Sequence, residues 1–282
     1  GSGAMASFGT VPVTAKGDQY RFCWCASAAG TCRLAAHHRV TVGELLLLGP
    51  SPLYQPRTCV SGQHCVNHSI EPSDRRPGLM TDASGQPIVA SDTIAVLDTC
   101  GTDITTLHRA PAAGYIHSQG ATWNYLTMGS SHLTAQGGEY RLCWCARNFP
   151  CTVAETFRVD MGELTVIGPR PLYQDRTCIS GQTCDVVNFY VHSLTGMDHQ
   201  HHGSLGHLHV LDTCGTLQHG TTPYLPLEGE VWVNGGQPVV SFAQTPLTAP
   251  GGQYRLCWCA AGYQCVNPSD FRTDMGELLL IG

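Results

Sequence analysis

One string constrains this chain more than any other feature. Gly-Asp-Gln-Tyr-Arg-Phe-Cys-Trp-Cys ends at Cys25, Gly-Gly-Glu-Tyr-Arg-Leu-Cys-Trp-Cys ends at Cys145, and Gly-Gly-Gln-Tyr-Arg-Leu-Cys-Trp-Cys ends at Cys259. A glycine turn followed by alternating residue types predicts a β-strand. Period-two alternation sets Tyr140, Leu142 and Trp144 on one face and Arg141, Cys143 and Cys145 on the other. Tyr254, Leu256 and Trp258 repeat the first face. That face requires a core, whereas the Arg and Cys face can be partly wet. A further cysteine follows each string (Cys32, Cys151, Cys265), and strand-like runs at Leu45–Gly49, Leu164–Gly168 and Leu278–Gly282 close each copy.

The repetition extends beyond the string. Pro52-Leu-Tyr-Gln-Pro-Arg-Thr-Cys59 recurs as Pro171-Leu-Tyr-Gln-Asp-Arg-Thr-Cys178, and Leu97-Asp-Thr-Cys-Gly101 recurs as Leu211-Asp-Thr-Cys-Gly215. Two complete units, 51–169 and 170–282, are therefore expected after a partial unit, 7–50, that matches only the last part of a repeat. Residues 1–6 read as a scar left by tag removal, so targeting signals of the native protein are not read here. A different phase, cut within 66–92, would split the strand-rich stretch 184–214. The Gly-Pro joints at Gly49-Pro50 and Gly168-Pro169 predict short, stiff linkers.

Within a unit the strand signals are short and bounded by Gly, Pro, Asn and Asp, and no apolar period of a helix is found. About seven such strands per unit is the pattern of an immunoglobulin-like β-sandwich, and Gly-x-Tyr before the penultimate strand resembles its tyrosine corner. The predicted fold class is all-β, as tandem disulfide-stapled immunoglobulin-like sandwich units. Length varies only in the region that contains 66–92 and 185–206, which is the behaviour of loops.

Fifteen cysteines at regular spacing favour a disulfide framework in an oxidising compartment. Cys143 and Cys145 leave one strand on the same side and are badly placed to bond each other. Cys145 can reach Cys151 across a short loop, Cys59 and Cys65 flank a turn, and Cys143 is left for Cys100. The same reasoning gives Cys178–Cys184, Cys214–Cys257, Cys259–Cys265 and Cys25–Cys32, with Cys23 unpaired. The competing reading is an all-cysteine zinc site from Cys100, Cys143, Cys145 and Cys151, although Cys-x-Cys is unlike the usual Cys-x-x-Cys knuckle.

A net charge of -6 with one lysine, Lys16, leaves no basic footprint for nucleic acid. No apolar run reaches membrane-spanning length. Asn67-His68-Ser69 is an N-glycosylation sequence, expected in a surface loop. His199, His201, His202, His207 and His209 crowd one stretch and could hold a transition metal, but a solvated loop is the preferred reading because the other unit has no such cluster. Asp160-Met-Gly-Glu163 and Asp274-Met-Gly-Glu277 suggest calcium, yet the first copy has Thr41 in the aspartate position, so these read as strand-edge residues. No catalytic motif is present, and neither catalytic residues nor cofactors are expected.

The Gly-x-Tyr-Arg-Leu-Cys-Trp-Cys string and the Gly-Glu-Leu close resemble repeats of the apicomplexan cysteine repeat modular proteins and related alveolate surface proteins. The resemblance implies a secretory-pathway array acting in adhesion or assembly, with protein partners that include other units of its own kind. A structural spacer and a thiol-redox enzyme using Cys-x-Cys are the rival readings. Non-reducing peptide mapping is expected to recover the seven pairs above with one titratable thiol at Cys23; zinc held by free thiols would replace both the bonding and the compartment.

Overall fold

The computed structural model describes residues 7–26, 32–68, 92–102, 107–117, 125–146, 149–192, 204–216, 229–234, 237–241 and 246–282. In the first copy these form β1 (Asp18–Trp24) and β2 (Val40–Leu47). The second copy holds β3 (Arg57–Val60), β4 (Val66–His68), β5 (Thr93–Leu97), β6 (Tyr115–His117), β7 (Tyr125–Thr127), β8 (Gly138–Cys145) and β9 (Val159–Pro169). The third holds β10 (Arg176–Ile179), β11 (Asp185–Val187), β12 (Val191–His192), β13 (Ser204–Leu211), β14 (Gly229–Asn234), β15 (Gln237–Ser241), β16 (Gly252–Ala260) and β17 (Thr273–Ile281). Among the described residues the only helical segments are single 3-10 turns.

The third copy is one curled sheet in the order β10-β17-β16-β13-β14-β15-β11. Its two ends, β10 and β11, are consecutive in sequence and joined by Cys178–Cys184, so the sheet must roll over on itself. Inside the roll lie Phe189, Leu208, Val210, Tyr254, Leu256, Trp258, Met275 and Leu278. The second copy follows the same path as β3-β9-β8-β5-β6, with β4 and β7 paired separately. In both, the opening strand runs parallel to the closing one, β3 on β9 and β10 on β17, and the other pairings within each copy are antiparallel. These are all-β, immunoglobulin-like sandwich units stapled by disulfides.

The repeated strand has a core on each face. Leu142 is buried on the first face, and Tyr140 and Trp144 pack beside it half-buried; in the third copy Tyr254, Leu256 and Trp258 are all buried. The Tyr140 hydroxyl donates to the Gln136 carbonyl at 3.0 Å, and Tyr254 and Tyr20 donate likewise to Pro250 at 2.8 Å and Lys16 at 2.9 Å. Trp144 differs from Trp258 in donating its indole N–H to Asp92 at 3.1 Å.

The second face is wet at its arginine and dry at its cysteines. Cys143 and Cys145 are buried with Ala95, Leu97 and Phe157, and Cys257 and Cys259 with Leu211 and Phe271. The cause is local. The 3-10 turns Ala154–Thr156 and Pro268–Asp270 drop Phe157 and Phe271 onto the sulfurs, and the crosslinked loops complete the cover. Only the arginine reaches water. Arg255 grips Asp274 through two nitrogens at 2.7 and 3.0 Å and lies 3.9 Å from Glu277, while Arg141 repeats the pattern with Asp160 and Glu163. The carboxylates that suggested calcium are thus tied to arginine.

A bulge in the closing strand explains the invariant glycine of Gly-Glu-Leu. Gly162 sits at φ +132°, and a Cβ there would lie 2.7 Å from the Gln55 nitrogen, which itself donates to the Met161 carbonyl at 2.7 Å. Gly276 stands in the same relation to Gln174. In the first copy no such segment crosses Gly43, whose nearest neighbour would be the Phe22 ring at 3.8 Å. The first copy is accordingly an open hairpin: Trp24 is 54% exposed where Trp258 is 0%. Gly162→Ala is expected to lower stability by about 2–4 kcal/mol through strain and overpacking. Gly43→Ala is expected to be nearly neutral, and thermal melts of the two variants check both values.

Candidate functional site

The second and third copies meet in a built contact, and a groove lies along it. β9 runs on through the Gly168-Pro169 joint and takes β12 of the third copy as an antiparallel neighbour, Val191 against Pro169 and His192 against Gly168. The Arg170 N–H donates to the Tyr190 carbonyl at 2.9 Å. The joint is therefore strand rather than the linker expected from its composition. Gln174 fixes the returning chain, donating to the carbonyls of Pro171 and Tyr190 and accepting from the Tyr190 N–H at 2.8 Å.

Beside this joint is a cavity of about 550 Å³. Its apolar floor is Leu107 and Leu172, both buried, and its polar wall is Asp98, His108, Arg109, Gln136, Tyr140 and Tyr173. Arg109 is held in a left-handed conformation, φ 58°, a strain that needs support from its surroundings. The Thr134 N–H donates to its carbonyl at 3.2 Å. The Arg109 guanidinium spans the two copies, donating to the Asp274 carbonyl at 3.0 Å and lying 5.6 Å from the centre of the Tyr173 ring. Tyr173 is 72% exposed, an aromatic face open to a ligand. Burial pushes the Tyr140 phenol up, and nearby Asp98 adds to that. The groove offers hydrogen bonding and stacking, the chemistry of recognition.

The histidines fall into different surroundings. His207 and His209 lie on one face of β13. His209 is buried with its ring edge-on to Phe271 at 4.9 Å, in the place of Ala95 in the second copy. Its Nδ1 has no partner among the described residues, and burial pushes its pKa below the ordinary 6.5. His199, His201 and His202 lie outside the described residues. Among the described residues no group of three or more His, Cys, Asp and Glu is arranged to hold a metal. At the joint, His132 stacks on His64 with ring centres 3.9 Å apart, and its pKa is lowered by burial, then by Arg272 and His64.

The sulfur pairs are Cys25–Cys32, Cys59–Cys65, Cys100–Cys143, Cys145–Cys151, Cys178–Cys184, Cys214–Cys257 and Cys259–Cys265, with Cα separations of 5.4 to 5.9 Å. Cys23 is free and exposed. Asn67 belongs to strand β4, its backbone paired with Leu126, rather than to a loop; Ser69 lies outside the described residues. Most of 66–92 is also outside them, and 185–206 contributes β11, β12 and the start of β13. Sequence reasoning missed Arg109, Tyr173 and the Ser61-Gly62 turn at the joint. Two of these carried a signal, because Val-Ser-Gly-Gln after Cys59 recurs as Ile-Ser-Gly-Gln after Cys178, and Leu-Tyr-Gln recurs with it.

No family model matches the chain, and no curated protein matches it. Among solved structures, a Bacteroides ovatus mixed-linkage glucan utilization protein, SGBP-B with a heptasaccharide, overlaps at 10% identity over 82% of this chain and 44% of that one, TM-score 0.21. Sidekick-1 immunoglobulin domains 1–5 overlap at 10% identity over 83% and 37%, TM-score 0.24. The fibronectin(III)-like modules of Clostridium thermocellum CbhA overlap at 10% identity over 83% and 94%, TM-score 0.19. The chain spans less than half the length of the first two. Among the described residues no helix is long and apolar enough to cross a membrane.

The buried His209 makes stability depend on acid. Its folded pKa is depressed, so its contribution is complete above the unfolded value of 6.5 and is lost as pH falls through the lowered folded value. Melting temperature is expected to fall as pH drops from 6.5 to that lowered value, and His209→Ala, the residue of the second copy, is expected to flatten this part of the profile while lowering stability at neutral pH.

Proposed function

We propose that this chain is part of a non-catalytic extracellular or secretory-organelle array whose stapled units present surfaces for adhesion or assembly. The observation that carries the reading is the burial of Cys-x-Cys: Cys143 and Cys257 are 0% exposed and their neighbours Cys145 and Cys259 nearly so. A thiol oxidoreductase needs an accessible, low-pKa thiolate. A crosslink enclosed between Phe157 or Phe271 and the sheet is suited to holding a unit together. Disulfides at this density also favour an oxidising compartment, where protein partners are met outside the cell or in its secretory organelles. The resemblance to apicomplexan cysteine repeat modular proteins supports the same reading.

The units differ most in 66–92 and 185–206, so partner contacts are sought there first, together with the groove around Arg109 and Tyr173. A glycan on Asn67 would limit access to the first of these. Expression through a secretory pathway is expected to give a mass increment that Asn67→Gln removes. Immobilised chain is expected to capture extracellular protein saturably, with binding altered when 66–92 and 185–206 are exchanged. Rapid reduction of Cys-x-Cys by mild reductant, with turnover of a disulfide substrate, would overturn the reading.

A further inference from the structure

The contact between the second and third copies has a repeated half that stands empty. In the filled site, the turn after β3 is buried by the start of β17. The Ser61 and Thr273 hydroxyls are 3.0 Å apart, and Arg272 Nη1 lies 3.5 Å from the Gly62 carbonyl, to which it donates. Gly62 is needed there, since a Cβ would come within 3.1 Å of the Thr273 hydroxyl, and Val60 packs against the core of the third copy.

The turn after β10 has the same form, and among the described residues no segment lies on it. Ser180 donates its hydroxyl to the Ala249 carbonyl at 2.7 Å as Ser61 does to Ala135 at 2.7 Å. The Gly181 N–H donates to Leu247 at 2.6 Å as Gly62 does to Leu133 at 2.5 Å, and φ is +83° against +81°. The turn is therefore set by its own unit and does not wait for a partner to shape it. Yet Ile179 is 57% exposed, and a Cβ on Gly181 would have no atom within 4 Å.

The complementary half also occurs twice. Arg158 lies across Gly101, 3.4 Å from where its Cβ would stand, as Arg272 lies across Gly215 at 3.3 Å. Arg158-Val159-Asp160 thus offers the counterpart of Arg272-Thr273-Asp274, and Arg158 is exposed. Among the described residues the strands of the first copy are the counterparts of β8 and β9, and none of its turns lies over Arg158. Val159 lacks the Thr273 hydroxyl and is itself buried, so the exposed members of this half are Arg158 and Asp160.

We infer that Ile179-Ser180-Gly181 is a docking surface for a second copy of this chain, which seats its Arg158-Val159-Asp160 segment there as Arg272-Thr273-Asp274 seats on Val60-Ser61-Gly62. The occupant is chosen by continuity with the contact already formed inside the chain, and the inference does not depend on what else the array binds. Such a contact joins two different surfaces and does not close on itself, so it propagates head to tail.

Sedimentation velocity of the full chain over a range of concentrations tests this. The mass is expected to rise with concentration above the 30.3 kDa of one chain. Ile179→Asp and Gly181→Trp, each blocking the turn, and Arg158→Asp, blocking the other half, are each expected to weaken association about tenfold or more, as central contacts do. Ile179→Asp mixed with Arg158→Asp is expected to restore pairing and stop at two chains, because each retains one free half. Circular dichroism identifies any variant that unfolds, and Gly181→Trp then serves in place of Ile179→Asp. A chain that stays monomeric at every concentration overturns the inference, as does self-association indifferent to these substitutions.

Discussion

Everything in these units depends on a strand that is buried on both sides. β8 and β16 send aromatic and aliphatic side chains into the larger core and sulfurs into the smaller one. Neighbours on both edges, β5 and β9 or β13 and β17, take up the backbone hydrogen bonds. A strand with no free face and no free edge cannot slip register without exposing a core, since a shift of one residue exchanges the two faces. The crosslinks add a second restraint at that point. Cys143 is bonded to Cys100 beyond the end of β5, and Cys257 to Cys214 beyond β13, so the central pair of strands is fixed covalently as well as by packing.

The first copy shows what that strand is worth without its surroundings. β1 carries Tyr20, Phe22 and Trp24 in the same order and makes the same tyrosine bond, yet it pairs only with β2. His38 stands where Phe157 and Phe271 seal the smaller core, and Cys23 has no partner. The local pattern is sufficient to make a hairpin. A closed core needs the strands that pair with its two edges.

Alternation along Tyr-Arg-Leu-Cys-Trp-Cys was legible because period two is a property of the backbone itself. The repeat was legible because its landmarks recur at fixed spacing, and so was the tyrosine bond that follows the glycine turn. What escaped depends on chain crossings that no local pattern contains. Phe157 and Phe271 are single aromatics in turns, and only the tertiary fold aims them at the cysteine face. Gly-Pro read as a linker because proline usually ends regular structure, whereas here the edge of β9 is prolonged by β12 from the next copy. Arg109 gave no signal at all, because its role comes from an unusual backbone angle and from groups 165 residues away in sequence. The Ser-Gly turns were visible as repetition but not as contacts, since the covered turn and the bare one share their sequence.

The parallel pairing of β3 on β9 and of β10 on β17 has a mechanical consequence. In each unit the strand nearest the incoming chain lies beside the strand that leads out, and both point the same way. A pull on the two ends of a unit draws these strands past each other along their length. The hydrogen bonds between Arg57–Val60 and Leu164–Ile167 are then loaded together instead of opening one after another from an end. Beyond that clamp, Cys59–Cys65 and Cys100–Cys143 limit how much chain can pay out if it slips. An array of such units would bear tension as a series of stiff links, each with its extension limited by its crosslinks when it yields.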